Sequence, residues 1–170
     1  MPHSQTSVTR MQLNTRRAVP EDAPACVLMR GLTRENAISP ETLRRYGITE
    51  ESWAEEIRTD ALVGFVCHTE GKLLGYAFGA RSSGEVVVVA LLPEADSQGL
   101  GRRLLTLLVQ KLQASAHTRL FLGCSPDPSS RSYGFYRHLG WRSTGTFDKA
   151  GDEILELLSP VALPAFTSGA

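Results

Sequence analysis

The chain has 170 residues and 42% apolar side chains, which suits one domain with one substantial core. Eighteen Lys and Arg balance eighteen Asp and Glu, so no excess positive field is present to hold a nucleic-acid backbone or an anionic membrane, and neither is expected as a partner. Cys26, Cys67 and Cys124 are far apart and lack C-x-x-C spacing, which argues against a disulfide scaffold and a zinc site and for a reduced, cytoplasmic protein.

The first residues are polar and lack the apolar core of a secretory signal, and residues 1–11 are expected to be a disordered tail, with Met11 as an alternative start. A first strand is predicted over residues 12–18. Pro20, Glu21 and Asp22 then give an acidic first turn to a helix carrying Ala25, Val27, Leu28 and Leu32. A second helix opens at Ser39-Pro40-Glu41, and a third over residues 50–57 presents Trp53 and Ile57 on one face. The polar segment 31–38 either borders a substrate pocket or simply connects two helices.

Residues 61–67 and 73–78 flank the turn Thr69-Glu70-Gly71-Lys72 and read as a hairpin. Residues 85–92 are β-branched and apolar at nearly every position, the pattern of a strand buried on both faces, and this run is far too short to cross a bilayer. After Pro93 the period becomes helical, with Leu100, Leu104, Leu108 and Leu112 in one stripe. A strand over 119–124, a helix over 129–139 stopped by Gly140, and a closing hairpin of 141–147 with 154–158 follow. A single domain is therefore expected over 12–158, with 159–170 a peripheral tail.

The stretch from Pro93 to Leu105 places glycines where an apolar strand feeds a helix. Glycine permits positive φ and close backbone approach, and the N–H groups of a helix N-terminus point toward any anion set there. Arg102 and Arg103 oppose the helix dipole by roughly 0.3–1 kcal/mol each unless an anion is bound. The stretch is neither a P-loop, since no Gly-Lys-Ser/Thr follows, nor a dinucleotide fingerprint, since position 104 is Leu.

Asp96-Ser97-Gln98-Gly99-Leu100-Gly101 resembles the acyl-CoA motif Q/R-x-x-G-x-G/A of the GNAT (general control-related N-acetyltransferase) superfamily. Asp96 departs from the family's Gln or Arg, and it is expected to face solvent while Gln98, Gly99, Leu100, Gly101, Arg102 and Arg103 hold the cofactor. Tyr133 to Trp141 resembles the family's Tyr-x-x-x-Gly-Phe/Trp helix ending, which puts Tyr136 at the general-acid position and against the cofactor. Ser129 stands where many members have an Asn that contacts the pantetheine arm. The resemblance further implies that main-chain groups near Leu91 and Leu92 hold the acetyl carbonyl and pantetheine. It also implies an α/β (α+β) fold, with a mixed central sheet of about six to seven strands flanked by about four helices.

Acetyl transfer to an amine needs a neutral nucleophile, a partner for the carbonyl oxygen and a proton for the thiolate. Tyr136 can give the proton; as a plain core tyrosine it would have no use for its hydroxyl. Glu85 lies where histone-type members carry a catalytic Glu; it is either the base or a solvated strand-end charge, with a water chain taking the proton. His68, His117 and His138 have no ligand spacing, and no metal is expected. The expected activity is acetyl transfer from acetyl-CoA to a primary amine of a small molecule or peptide, by direct attack in a ternary complex. The alternatives are a longer acyl-CoA as donor, or an acyl-CoA sensor or scaffold without turnover. The sequence is silent on the oligomeric state, with a homodimer among the outcomes.

Overall fold

The computed structural model describes residues 12–96 and 98–159. Strand β1 (Asn14–Arg17) leads through a 3-10 turn at Pro20–Asp22 into α1 (Ala23–Met29), followed by α2 (Pro40–Arg45) and α3 (Glu50–Arg58). Next come β2 (Leu62–Thr69), β3 (Lys72–Ala80), β4 (Glu85–Leu91) and α4 (Leu100–Ala114). The remaining elements are β5 (Arg119–Cys124), α5 (Arg131–His138), β6 (Arg142–Phe147) and β7 (Glu153–Leu158). The expected tail 1–11 and all of the expected tail 159–170 except Ser159 lie outside the described residues, and Ser159 donates its N–H to Thr118 O at 2.9 Å.

The strands form one mixed sheet in the order β1-β2-β3-β4-β5-β7-β6, in which only β4 and β5 run parallel. The turn of the β2–β3 hairpin has Glu70 and Gly71 at positive φ (48° and 77°), the pair that matches the twist of the flanking strands. Side chains alternate along β3, so Tyr76 and Phe78 face one side, where Trp53 of α3 meets their rings edge-on at 6.0 and 5.4 Å. On the other side Gly75 and Gly79 make room for α4: a Cβ at Gly79 would lie 2.9 Å from Leu112 Cδ1. The stripe Leu100, Leu104, Leu108 and Leu112 is buried there as its spacing predicts.

Two sequence-based expectations change. α1 buries Ala23, Cys26, Val27 and Met29, while Leu28 and Leu32 are exposed. The entry through a 3-10 turn sets a different helical phase, and α1 ends three residues before Leu32. Nor is β4 buried on both faces: only Val86 and Ala90 are buried, and Val87 is 40% exposed, because β4 pairs with β5 at one residue pair and then diverges from it. Five helices are present among the described residues, α2 and α3 being separated at Gly47 (φ 79°). None of them is long and apolar enough to cross a membrane.

The start of α3 is fixed by a reciprocal cap. Thr49 Oγ1 accepts the Ser52 N–H at 3.0 Å, and Ser52 Oγ accepts the Thr49 N–H at 2.9 Å. Thr49→Ala is expected to destabilise the fold by about 1 kcal/mol, measured as a lower urea midpoint at unchanged slope.

Candidate functional site

The only pair between β4 and β5 is Glu85 with Phe121. Beyond it the strands diverge, and a bulge in β4 is the local cause. Phe78 of β3 pairs with Val88 and Gly79 pairs with Val86, so Val87 is an extra residue that bends the strand away from β5. The gap opens into a cleft of about 1020 Å³, with Val86–Val89 and Leu91 on one wall and Leu122–Ser125 on the other. Leu92 donates its N–H to Leu74 O at 2.9 Å, so the main chain of Leu91 is turned the opposite way, toward the gap. Leu92 itself is buried and uses its N–H within the sheet, so of the two residues expected to hold the carbonyl and pantetheine, Leu91 is the one that reaches the cleft.

At the end of β4 the cleft meets the first turn of α4. Gly99 is the N-cap, at φ 71°, with no side chain to cap the helix. Arg103 N–H bonds back to Gly99 O at 3.2 Å, so the N–H groups of Leu100, Gly101 and Arg102 precede the helix's own ladder and are the ones offered to an anion. Gly101 is small of necessity: a Cβ there would stand 3.2 Å from Leu91 Cδ1 and 3.5 Å from Phe135 Cζ. Gly99, Gly101 and Arg102 line the cleft. The Leu100 side chain is in the core, leaving only its main chain available, and Gln98 and Arg103, both expected to hold the cofactor, are exposed and do not line the cleft. The cleft thus runs from a valine-lined wall at β4 to a glycine-lined helix N-terminus flanked by polar and charged side chains, an arrangement that can take an elongated ligand with an anionic end.

Asp96 does not face solvent as expected. Its side chain is 17% exposed, and Oδ2 is held by Arg34 Nε at 3.2 Å and Arg131 Nη1 at 2.8 Å. Two guanidinium groups, from the 31–38 segment and from the first residue of α5, provide the pairing that makes an inward carboxylate tolerable. The 31–38 segment therefore borders the cleft, through Thr33, Arg34, Glu35, Asn36 and Ile38. The α5 arginine carried a signal that sequence reasoning passed over: like Arg102, Arg131 is a cation in a first helical turn.

Tyr136 reaches the cleft from α5, 9% exposed and packed edge-on against Phe135 and Trp141 with ring centroids 5.0 and 6.1 Å away. Burial, and then neighbouring Cys124, push its pKa above the ordinary phenol value, while Arg30 acts in the other direction. Ser129 also lines the cleft, but its Oγ donates to Asp127 Oδ1 at 2.8 Å, so it is available to a ligand as an acceptor. Glu85 sits half-buried at the closed end of the gap, two residues from the bulge and not on the cleft wall itself. Desolvation, and then Asp148, raise its carboxyl above the ordinary range. Asp148 belongs to the β6–β7 turn, where its Oδ1 accepts the N–H groups of Ala150 and Asp152 at 2.9 and 3.0 Å.

Comparison with known proteins agrees with this geometry. Residues 29–141 match the model of the acetyltransferase (GNAT) family. No curated relative matches the sequence. Among solved structures, the PaiA N-acetyltransferase of Thermoplasma acidophilum, in complex with coenzyme A, superposes with a TM-score of 0.72 at 18% identity, over 88% of this chain and 100% of that one. An N-acetyltransferase of Staphylococcus aureus Mu50 gives 0.70 at 18% identity, over 86% and 98% of the two chains. YncA of Salmonella typhimurium, a putative acetyltransferase with its cofactor acetyl-CoA, gives 0.64 at 17% identity, over 89% and 99%. At these identities the likeness establishes the fold.

Proposed function

The chain belongs to the GNAT acetyltransferase family, and from that premise we propose that it transfers the acetyl group of acetyl-CoA to a primary amine by direct attack in a ternary complex. The observation that carries this reading is the gap between β4 and β5, opened by the Val87 bulge and ending at the N–H groups of Leu100, Gly101 and Arg102.

Acetyl-CoA bound there supplies the thioester carbon. Main-chain N–H groups along the gap-facing edge of β4 stabilise charge on its carbonyl oxygen. The amine, its ammonium proton first lost to solvent, bonds through its neutral nitrogen to the carbonyl carbon as the carbon–sulfur bond breaks. Glu85 takes the proton that the amine gives up, directly or through water, and Tyr136 donates its hydroxyl proton to the departing sulfur; solvent returns a proton from Glu85 to Tyr136. A raised carboxyl pKa suits Glu85 to this task, since an ordinary carboxylate is a weak base beside an amine of pKa near 10.4. Proton transfer from an unperturbed phenol to a thiolate is uphill by about 2 kcal/mol. Burial of Tyr136 adds to that, and the positive field of Arg30 works against it.

The test is release of free CoA thiol across a library of amines, with acetyl-CoA and longer acyl-CoA thioesters as competing donors. Release is expected only with an amine present, and fastest from the acetyl donor. Thermal stabilisation by acetyl-CoA without release from any amine would replace this reading with that of a sensor.

A further inference from the structure

Asp96 breaks the family pattern in the turn before α4, yet it joins two elements that both line the cleft. Its Oδ2 forms an ion pair with Arg34 Nε at 3.2 Å and accepts a hydrogen bond from Arg131 Nη1 at 2.8 Å. Arg34 Nη2 also donates to Pro93 O at 3.3 Å, and the adjoining Glu35 accepts the Arg131 main-chain N–H on Oε2 at 3.0 Å. The 31–38 segment is thereby tied at once to the turn before α4 and to the start of α5. Each guanidinium has five N–H donors, most of them still free of these bonds, and both groups are half-exposed beside Gly99, Gly101 and Arg102.

We propose that Asp96 is a positioning residue: it holds Arg34 and Arg131 as a two-sided clamp for the phosphates of the coenzyme, and so fastens the 31–38 segment over the cleft once the coenzyme is bound. This rests on the acyl-CoA reading above. Arg34, Arg131 and Arg102 present cationic N–H donors at the mouth, with the carboxylates of Asp96 and Glu35 already engaged in holding the arginine-bearing elements. The rotamer freedom that two long side chains would lose on gripping a phosphate is already lost. Ion pairs with half-exposed partners add little to folding stability, so arrangement of donors is what this network provides.

The experiment is equilibrium titration of the full chain with acetyl-CoA, acetyl-3′-dephospho-CoA and S-acetylpantetheine, which carries no phosphate. Asp96→Ala is expected to weaken acetyl-CoA binding about tenfold, the scale of one charge-assisted hydrogen bond, although it deletes a negative charge beside an anion site. S-acetylpantetheine affinity and Tm are expected to stay at wild-type values, and Asp96→Asn, which keeps an acceptor oxygen, to fall between the two. In an Arg34→Ala/Arg131→Ala background the effect of Asp96→Ala is expected to vanish. If the tenfold loss persists with the dephospho compound, the clamp acts on the diphosphate; if it disappears, on the 3′-phosphate.

Equal or tighter acetyl-CoA binding by Asp96→Ala would overturn the clamp while leaving the acyl-CoA reading intact. An equal loss with S-acetylpantetheine would do the same, by showing a merely structural role. A wild-type chain that binds none of the three ligands would sink the acyl-CoA reading itself, and the clamp with it.

Discussion

Tyr136→Phe is expected to lower kcat about a hundredfold, the lower end of what a positioned general acid contributes. The substitution is well suited to the question, because the ring keeps its edge-on contacts with Phe135 and Trp141. No described residue hydrogen-bonds the hydroxyl, so removing it strands no buried partner, and stability should hold or rise slightly. A loss of rate with an unchanged Tm and unchanged acetyl-CoA affinity then belongs to the chemical step. The pH profile gives an independent reading. Because burial raises the Tyr136 pKa above that of a free phenol, the hydroxyl stays protonated through about pH 10, and wild-type kcat should show no alkaline fall below that point. A variant that retained full kcat would remove Tyr136 from the mechanism.

Elements with a strong local signal were legible in the sequence. The leucine stripe of α4, the Glu70-Gly71 hairpin and the Tyr136 helix ending at Gly140 stand where periodicity and turn chemistry put them. What escaped depends on residues far apart in the chain. An apolar run such as 85–92 reads as a strand buried on both faces, since nothing in β4 alone tells that its neighbour turns away; here Val87 is exposed and its neighbouring valines form the wall of a cleft. The inward orientation of Asp96 is set by Arg34 and Arg131, 62 and 35 positions away in the sequence, so local charge logic sent it to solvent. Leu28 and Leu32, two of the apolar residues that the sequence places on the first helix, are exposed, and the buried face of α1 is instead made by Ala23, Cys26, Val27 and Met29. The insertion of β7 between β5 and β6 is likewise a matter of long-range pairing.

Deleting Val87 tests the origin of the cleft, and it is expected to lower acetyl-CoA affinity on the order of a hundredfold or more, ~2.7 kcal/mol. The deletion is unusually clean in register. Glu85 and Val86 already pair with Ala80 and Gly79, and Val88, Val89, Ala90 and Leu91 with Phe78, Ala77, Tyr76 and Gly75. Removing the one unpaired residue makes these pairs consecutive, so every remaining side chain of β4 keeps its present face. The bend that carries β4 away from β5 loses its cause, and parallel pairing can extend past Glu85 and Phe121. Each ladder bond gained stabilises the fold by about 0.5–1.5 kcal/mol, so the variant should melt at or above the wild-type temperature while binding poorly. Slower amide exchange at Val89 and Leu91, whose main chains now face the gap, would report the closure directly. A well-folded deletion variant that bound acetyl-CoA as the wild type does would show that the divergence of β4 and β5 is imposed from elsewhere, with the α4 and α5 N-termini, joined through Asp96, as the next place to look.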